Sequence, residues 1–273
     1  MARSALAQVQ RARARRRRHD EDVRRLVMEL GRQDFHRRHS DASLAPVTVV
    51  IASYLEADNI GPVLKAVPAE AHGMDVATLV VVDGGDDGTE DVAAGHGARC
   101  AVLPVNMGQG VALRLGYELA AAHGAHYVVT VDADGQNDPA ELTDVLAPVV
   151  EGRADFVIGS RRLGVDETTD RVRRAGVRFF ASVINLLTGQ RLTDTSNGFR
   201  AMRVDVLSDV TLEQDQYQTA ELVISAASRG WRLAEVPVVW HRRSSGESKK
   251  GHNVFFALQY ARVIVRTWLR DRR

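Results

Sequence analysis

The sequence has very little cysteine and no long apolar run. Cys100 is the only cysteine among 273 residues, which excludes an internal disulfide framework and a thiolate-rich metal cluster and fits a reducing compartment. Nowhere do about 18 apolar residues follow one another, and no apolar segment follows the first arginines, so neither a membrane-spanning helix nor a signal peptide is predicted. We therefore expect a cytoplasmic protein that is at most peripheral on the cytoplasmic face of a membrane.

Several common catalytic and nucleotide-binding motifs are also absent or incomplete. The stretch GQGVALRLG has two glycines of a dinucleotide fingerprint, but Leu113 stands in place of the third. An EF-hand is excluded because Asn137 and Thr143 occupy the positions where its loop needs glycine and glutamate. No segment fits a Walker loop or a G-x-S-x-G elbow. These gaps argue against a nicotinamide enzyme, a P-loop NTPase, a serine hydrolase and an EF-hand protein.

What the sequence does have is an ordinary globular composition, 45% hydrophobic and 26% charged, with a repeated pattern of apolar run, turn and helical spacing. The apolar runs begin with VTVVIAS at residues 47–53 and continue with TLVVVDGG, CAVLPV, YVVTVDAD and DFVIGS. Runs that are apolar throughout are typical of strands covered on both faces. The pattern predicts an α/β fold with a mostly parallel sheet and crossover helices.

Polar residues follow the ends of four successive predicted strands. In open parallel sheets, ligands bind beyond the carboxyl ends of the strands, where the loops turn away. We therefore expect these residues to share one site. They are Ser53, Tyr54 and Glu56 after the first strand, Asp83, Asp86 and Asp87 after the second, Asn106, Gly108 and Gly110 after the third, and Asp132, Asp134 and Gln136 after the fourth.

Two carboxylates, Asp132 and Asp134, follow the apolar run of residues 127–131. Because side chains alternate along a strand, both are expected to project from the same face. Neighbouring carboxylates repel each other without a cation, and Mg²⁺ or Mn²⁺ prefers one or two carboxylates completed by water and phosphate oxygens. The pair therefore indicates a divalent-cation site; the alternative is a solvated loop that only ends a strand. Asp138, Pro139 and Glu141 predict a capping box behind it.

Taken in order, the motifs resemble those of a known family. The segments VTVVIASYLEADNI, LVVVDGGDDGT, NMGQGVALRLGYE, DADGQNDPAEL, FVIGSRR, DTSNGFRAM, WRLAEVPV and RSSGESK span residues 47–251. They are similar to family 2 glycosyltransferases of GT-A fold, and most similar to the dolichyl- and polyprenyl-phosphate mannosyltransferase branch. The resemblance implies an inverting, metal-dependent transferase that moves a sugar from a GDP- or UDP-linked donor to a polyprenyl phosphate.

The resemblance also implies roles for individual residues. It assigns Mg²⁺ or Mn²⁺ to Asp134 and Gln136, and catalysis to Asp132, Asp134 and Arg161; Asp194 is a further catalytic candidate if the acceptor is a hydroxyl. The residues implied for the nucleotide sugar are Ala52, Tyr54, Glu56, Asp83, Asn106, Gly110, Asp132 and Ala133. Those implied for the acceptor phosphate are Arg161, Arg174, Arg243 and Lys249. Independently, an ionised phosphate acceptor needs positive charge to position it and no general base, and arginine suits that task.

The sequence departs from the family pattern near the donor site. Ala52 replaces a usual proline, Leu55 an asparagine, and Gly84 a common second acid, so the base of the donor is left open between GDP and UDP. Gln109 stands where the family often has lysine or arginine.

Two other functions stay open at this stage. One is a GT-A transferase acting on a hydroxyl of a soluble or cell-wall acceptor, which would need a base, and Asp194 is the candidate. The other is a non-catalytic protein that binds a nucleotide sugar or a polyanion.

The two ends of the chain differ from the predicted catalytic domain, residues 45–251. Residues 1–44 carry 12 arginines and 6 acids, a net charge of 12 − 6 = +6, and form a basic, partly helical extension. They lack interleaved aromatic residues, so no specific nucleic-acid partner is expected. Residues 252–273 predict an amphipathic helix with Arg262, Arg266 and Arg270 in a basic stripe, suited to a membrane surface; the alternative is a packing helix that closes the core or a dimer interface.

Overall fold

A computed structural model describes residues 2–40, 43–168, 170–242 and 253–272. The predicted sheet is present, and five of its strands coincide with the apolar runs of the sequence. The described residues form the strands β1 (Val47–Ser53), β2 (Glu70–Ala71), β3 (Met74–Asp83), β4 (Arg99–Leu103), β5 (Tyr127–Thr130), β6 (Phe156–Asp166), β7 (Arg200–Arg203) and β8 (Leu233–Trp240).

The sheet is mostly parallel, as expected. Its order is β4-β3-β1-β5-β7-β6-β8, with β2 paired to the start of β3. Neighbouring strands from β4 to β5 are parallel, as are β6 and β8, whereas β7 runs antiparallel to both β5 and β6. β7 is not among the predicted strands, because its four residues, Arg-Ala-Met-Arg, contain no apolar run.

Helices cover both faces of the sheet and give it two cores. Neighbouring residues of one strand alternate between them: Val50 and Val81 belong to one core, and Ile51 and Val80 to the other. The helices are α1 (Ala2–Arg38), α2 (Ala57–Ala66), α3 (Thr89–Gly95), α4 (Gln109–Ala122), α5 (Leu142–Val150), α6 (Arg171–Thr188), α7 (Val204–Asp209), α8 (Gln218–Ser228) and α9 (Asn253–Asp271). Helices α1, α4, α6, α7, α8 and α9 lie in the first core, and α2, α3 and α5 in the second.

The second half of α1 packs against the domain that follows it. Val27 and Phe35 are buried in the first core. The backbone N–H of Val102 in β4 donates to Asp34 at 3.0 Å, and that of Cys100 donates to Nε2 of His39 at 3.0 Å. Because β4 ends the sheet, these side chains satisfy edge N–H groups that would otherwise be open to another strand.

The predicted capping box forms only in part. Asp138 caps a short 3₁₀ turn, Pro139–Glu141, by accepting from the backbone N–H of Ala140 at 2.9 Å. The backbone N–H of Glu141 donates to the carbonyl of Asp138 at 3.1 Å, but the Glu141 carboxylate does not accept from the backbone N–H of Asp138, and this part of the prediction is wrong. Its carboxylate instead accepts from the backbone N–H of Val239 at 3.0 Å, because β8 is the last strand of the sheet and presents unpaired N–H groups there.

Within the ranges that the structure describes, no helix is both long and apolar enough to cross a membrane.

Candidate active site

A cavity of about 300 Å³ opens beyond the carboxyl ends of β1, β3 and β5. The polar residues after successive strands meet there, as the sequence predicts. Of the eight residues implied for the donor, seven line the cavity; Gly110 lies beside it. The lining residues are Ala52, Ser53, Tyr54, Glu56, Asp83, Asn106, Gly108, Gln109, Asp132, Ala133, Asp134 and Gln216.

Asp83 shapes one wall of this cavity. Its two carboxylate oxygens accept from the backbone N–H groups of Met107 and Gly108 at 2.8 and 2.7 Å. Burial raises the pKa of Asp83 to about 6, although the two N–H donors act in the opposite direction. Asp83 therefore holds the glycine turn that leads into α4.

Some of the acids after β1 and β3 line the cavity, and the others hold neighbouring elements together. Glu56 is buried and accepts from the side-chain amide of Asn59 at 2.7 Å. Asp87 accepts from the backbone N–H of Ala57 at 3.0 Å and from the hydroxyl of Thr89 at 2.6 Å, which ties the start of α2 to the start of α3. Asp86 and Asp87 do not line the cavity, in contrast to the single shared site expected from the sequence.

Asp132 and Asp134 line the cavity together, although strand alternation is not the reason. Strand β5 ends at Thr130, so both aspartates lie in the loop that follows it. Asp132 accepts from the amide of Gln109 at 3.0 Å. A Cβ atom on Gly198 would lie 2.6 Å from the Asp132 carboxylate, so the absence of a side chain at Gly198 makes room for this carboxylate.

Gln136 connects Asp134 to Trp240. The backbone N–H of Gln136 donates to Asp134 at 3.1 Å. With its amide turned so that both ends are satisfied, the NH₂ group donates to Asp134 at 3.1 Å and the oxygen accepts from Nε1 of Trp240 at 3.0 Å. In this arrangement the Gln136 side chain links Asp134 to Trp240, and its assignment as a metal ligand stays a prediction.

The donor atoms at this site fit a divalent cation that binds together with its substrate. The described residues hold no group of three or more His, Cys, Asp or Glu side chains that could enclose a metal ion. Asp134, with Asp132 nearby, supplies one or two hard carboxylate ligands. Proteins usually supply this number of ligands to Mg²⁺ or Mn²⁺ when phosphate and water complete the coordination.

A buried ion pair lies across from these aspartates. Arg161, at the bend of β6, donates from Nε to Asp194 at 2.5 Å and from Nη2 to Asp194 at 3.2 Å and to Ser196 at 2.9 Å. The Arg161 guanidinium also stacks on Trp240, 4.4 Å from the ring centroid. The side chains of Arg161 and Asp194 are 6% and 0% exposed.

Asp194 is held as the anionic partner of Arg161. Burial alone would raise its pKa, but the charge of Arg161 and the hydrogen bonds from Arg161 and Ser196 together hold the pKa of Asp194 below its ordinary value. A carboxylate with a lowered pKa, enclosed by its partners, is a poor proton acceptor.

Arg173 is a second cation beside Trp240, and the resemblance does not name it; the assignment of Arg174 to the acceptor stays a prediction. The Arg173 guanidinium lies 5.5 Å from the Trp240 ring centroid. Desolvation and the nearby charge of Arg161 lower the pKa of Arg173, whereas the charge of Asp134 raises it. Arg173 is therefore close enough to interact electrostatically with both Arg161 and Asp134. Arg174 instead contacts the carbonyl of Thr168 and stands 3.6 Å from Asp166.

Helical spacing could have distinguished the two arginines. Arg173 is itself exposed, but it lies on the face of α6 that carries Phe180 and Ile184, which are half-buried and buried, whereas Arg174 shares its face with the exposed Arg178. The remaining residues implied for the acceptor, Arg243 and Lys249, lie outside the described residues.

Comparison with known proteins now decides the family. The sequence pattern described as "Glycosyl transferase family 2" matches residues 48–211. The chain belongs to this family. A dolichyl-phosphate hexose transferase of Haloferax volcanii is 34% identical to this family 2 glycosyltransferase over 203 residues, which cover 74% of this chain and 86% of that protein. An undecaprenyl-phosphate mannosyltransferase of Micrococcus luteus is 30% identical over 214 residues, covering 74% and 86%.

The fold of this family 2 glycosyltransferase is also found among solved structures. Glucosyl-3-phosphoglycerate synthase from Mycobacterium tuberculosis, in complex with Mn²⁺, UDP and glucosyl-3-phosphoglycerate, matches it with a TM-score of 0.63 at 19% identity, over 87% of this chain and 82% of that chain. The GT-A fold and the transferase class implied by the motifs are therefore confirmed.

Proposed function

We propose that this family 2 glycosyltransferase moves a sugar from a nucleotide diphosphate sugar to a polyprenyl phosphate, with inversion at the anomeric carbon. The observation that carries the proposal is the pair of cations, Arg161 and Arg173, which stand on Trp240 near Asp134. A phosphate is the acceptor that such a pair suits. The names of the two curated relatives, a dolichyl-phosphate hexose transferase and an undecaprenyl-phosphate mannosyltransferase, support the same acceptor class.

In the proposed reaction, an acceptor phosphate oxygen attacks the anomeric carbon, and the bond from that carbon to the donor diphosphate breaks. The nucleoside diphosphate leaves with the electron pair, and no proton has to be removed from the ionised acceptor. A divalent cation held at Asp134 would neutralise the charge that develops on the leaving diphosphate. Arg161 and Arg173 bind and orient the acceptor, while Asp83 and the glycine turn shape the donor side.

The buried ion pair favours a phosphate acceptor over a hydroxyl acceptor. A hydroxyl would need a base, and the only candidate named from the sequence, Asp194, already accepts hydrogen bonds from Arg161 and Ser196. Its lowered pKa further weakens it as a base. Asp194 fits a positioning role, in which it fixes Arg161 against Trp240.

If Arg173 binds the acceptor and its neighbour Arg174 does not, their replacement should affect the acceptor KM differently. Arg173→Ala is expected to raise KM for a short-chain polyprenyl phosphate in detergent by about 10- to 100-fold, because a charge-assisted contact to phosphate is lost. Arg174→Ala, the matched control, is expected to change it by less than about threefold, because Arg174 lies beside Asp166 and the carbonyl of Thr168 and not on Trp240. Steady-state kinetics with the acceptor and donor varied in turn provide the measurement. Equal effects of the two substitutions, or an effect on the donor KM alone, would contradict the assignment.

The same helix offers a surface for the membrane that would carry the acceptor. Val172, Phe179 and Leu186 on α6 are 66%, 62% and 85% exposed, and Arg171, Arg174 and Arg178 lie beside them on the exposed side. Helix α9 packs next to α6, through Phe180 against Tyr260, and adds exposed Leu258, Val265 and Leu269. Exposed apolar side chains bordered by arginines match an anionic bilayer surface. We call these six apolar residues the α6–α9 face.

The α6–α9 face predicts binding to anionic vesicles. We expect the protein to float with vesicles that contain phosphatidylglycerol, and Phe179→Glu with Leu186→Glu to reduce the bound fraction at least about tenfold, because two apolar contacts are replaced by repelled charges. Leu26→Glu is the control, since Leu26 is 60% exposed on α1 near the opposite edge of the sheet. If the protein does not float with the vesicles, has the mass of two chains in solution, and has half that mass in the double variant, the face serves self-association instead.

A further inference from the structure

The segment between α7 and α8, residues 211–217, packs directly on the donor cavity. We call it the 211–217 loop. Gln216 lines the cavity together with Asp132 and Asp134. A Cβ atom on Gly108 would lie 2.6 Å from Nε2 of Gln216, and one on Gly110 would lie 2.1 Å from the carbonyl oxygen of Gln214. The loop is therefore in close contact with the glycine turn that Asp83 holds.

Two elements on one side fix the first part of this loop. The carboxylate of Glu221 in α8 is fully buried and accepts from the backbone N–H groups of Glu213 and Gln214, both at 2.9 Å. Arg270 in α9 donates to Glu221 at 2.7 Å and to the carbonyl of Thr211 at 2.7 Å. These bonds leave the backbone of the loop little freedom.

Asp215 fixes the other part and brings in α1. Nε of Arg24, in α1, lies 2.7 Å from one carboxylate oxygen of Asp215 and 2.9 Å from the other. Nη2 of Arg114, in α4, donates to Asp215 at 3.0 Å. The carbonyl of Asp215 accepts from the backbone N–H of Gly110 at 2.9 Å. A residue of the basic N-terminal helix is thus two contacts away from the donor cavity.

The residue after Gln216 adopts an unusual backbone conformation. Tyr217 has φ = 60°, in the left-handed region that residues other than glycine seldom occupy. Its ring packs edge-on against Tyr260, with the centroids 5.8 Å apart. Residues in such conformations persist where the surrounding structure dictates them, and they concentrate at ligand-binding sites.

We propose that Gln216 hydrogen-bonds the nucleotide-sugar donor, and that α1 sets its position through the Arg24–Asp215 ion pair. The inference rests on the proposed function, since it assumes that a nucleotide sugar fills this cavity. An amide offers both a donor and an acceptor, which suits the hydroxyl and phosphate oxygens of such a ligand. Gln216 is exposed and lines the cavity, and within the described residues the structure gives no hydrogen bond to its side chain, so the amide is open to a ligand that enters the cavity. Gln216 is a binding residue and Arg24 a positioning residue.

The first test replaces Gln216. Calorimetric titration of the full chain in Mn²⁺ with UDP, GDP and their glucose and mannose conjugates is expected to show donor binding weakened about tenfold in Gln216→Ala, the loss of one hydrogen bond to a charged or hydroxylated ligand. Gln216→Glu keeps the shape but adds a negative charge beside the diphosphate, and we expect it to weaken binding more than alanine does. Equal losses for nucleoside diphosphate and nucleotide sugar place the contact on the nucleotide, whereas loss for the sugar conjugate alone places it on the sugar. Unchanged affinity in both variants would overturn the proposal.

The second test asks whether α1 acts through Gln216. Arg24→Ala is expected to weaken donor binding about three- to tenfold, and to have little further effect once Gln216 is alanine, because coupled residues are not additive. Arg25→Ala is the matched control, as Arg25 is 77% exposed and pairs only with Asp22, at 3.9 Å, within the described residues. If Arg24 has only a structural role, Arg24→Ala lowers the thermal midpoint of unfolding and leaves donor affinity unchanged. That result, or an effect on donor affinity that adds fully to the effect of Gln216→Ala, rejects the role of α1.

The unmodified chain separates failure of this inference from failure of the proposed function. If it binds no nucleotide or nucleotide sugar in Mn²⁺, the proposed function fails, and the inference with it. If it binds them while the Gln216 and Arg24 variants bind equally well, only the inference fails.

Discussion

Asp134→Ala is expected to lower the rate of sugar transfer by about a thousandfold or more, because several kcal/mol of charge stabilisation at the leaving diphosphate depend on the cation that Asp134 would hold. The carboxylate lies on a loop after β5 and is oriented by the backbone N–H of Gln136 at 3.1 Å. No other described residue combines this position with a comparable link to Trp240. Replacement of Asp134 should therefore abolish binding of the cation and not only weaken it.

The measurement for Asp134 is the initial rate of transfer at increasing Mn²⁺ concentration. Asp134→Asn should behave almost like Asp134→Ala, since a neutral amide is a weak ligand for a hard cation. Asp144→Ala is the control, because Asp144 is an exposed acid on α5 outside the cavity. A wild-type rate in Asp134→Ala at any Mn²⁺ concentration would contradict the metal assignment.

The second large effect is on folding stability. Asp194→Asn is expected to lower the free energy of unfolding by about 3 to 5 kcal/mol, because it leaves the buried Arg161 cation without its counter-ion. Asp155→Asn is the matched control. It also removes a carboxylate paired with an arginine, but Arg232 is 56% exposed, so we expect a loss of no more than about 1 kcal/mol. Urea denaturation at constant pH gives both values.

The pH dependence of stability should change in the same variant. The folded-state pKa of Asp194 is lowered, so the folded state binds fewer protons than the unfolded state over that range. The contribution of Asp194 is therefore fully present above its unfolded pKa, about 4, and is lost as the pH falls towards the folded value. Asp194→Asn should remove this part of the acid-induced loss. An unchanged stability and acid profile would contradict the ion-pair role.

Asp194→Asn also distinguishes the two acceptor classes. With a phosphate acceptor, the folded variant should retain transfer at saturating acceptor with a raised acceptor KM, because Arg161 is less well positioned. With a hydroxyl acceptor, removal of the base would lower kcat at saturating acceptor by about 10²- to 10⁴-fold.

Much of the fold and of the cavity lining could be predicted, the fold from local patterns and the lining from the strand ends and the family resemblance. Unbroken apolar runs such as residues 47–53 specify buried parallel strands, and the carboxyl ends of parallel strands meet at one edge of the sheet. Seven of the eight residues implied for the donor accordingly line one cavity. The strand β7 was missed because it is short and flanked by arginines, and its place in the sheet depends on the distant β5 and β6.

The remaining features depend on contacts between residues far apart in the chain. The choice between Arg173 and Arg174 depends on which face of α6 packs on Trp240. Glu141 satisfies the edge of β8 instead of its own helix start, and the 211–217 loop is positioned by Arg24 across 191 residues of sequence. Propensity and motif spacing carry no information on such pairings, so these residues could be assigned only from the structure.

In the proposed reaction, the acidic residues after β5 bind the nucleotide sugar through a divalent cation. The cations on Trp240 bind the lipid phosphate that receives the sugar. This reaction is tested most directly by incubating the purified chain with radiolabelled GDP-mannose, GDP-glucose, UDP-glucose or UDP-galactose, a polyprenyl phosphate and Mn²⁺, and by following label in the lipid extract. We expect one donor to give a labelled, acid-labile lipid only when both polyprenyl phosphate and Mn²⁺ are present. Label transferred equally well to polyprenol, to a soluble hydroxyl acceptor, or in excess EDTA would contradict the account.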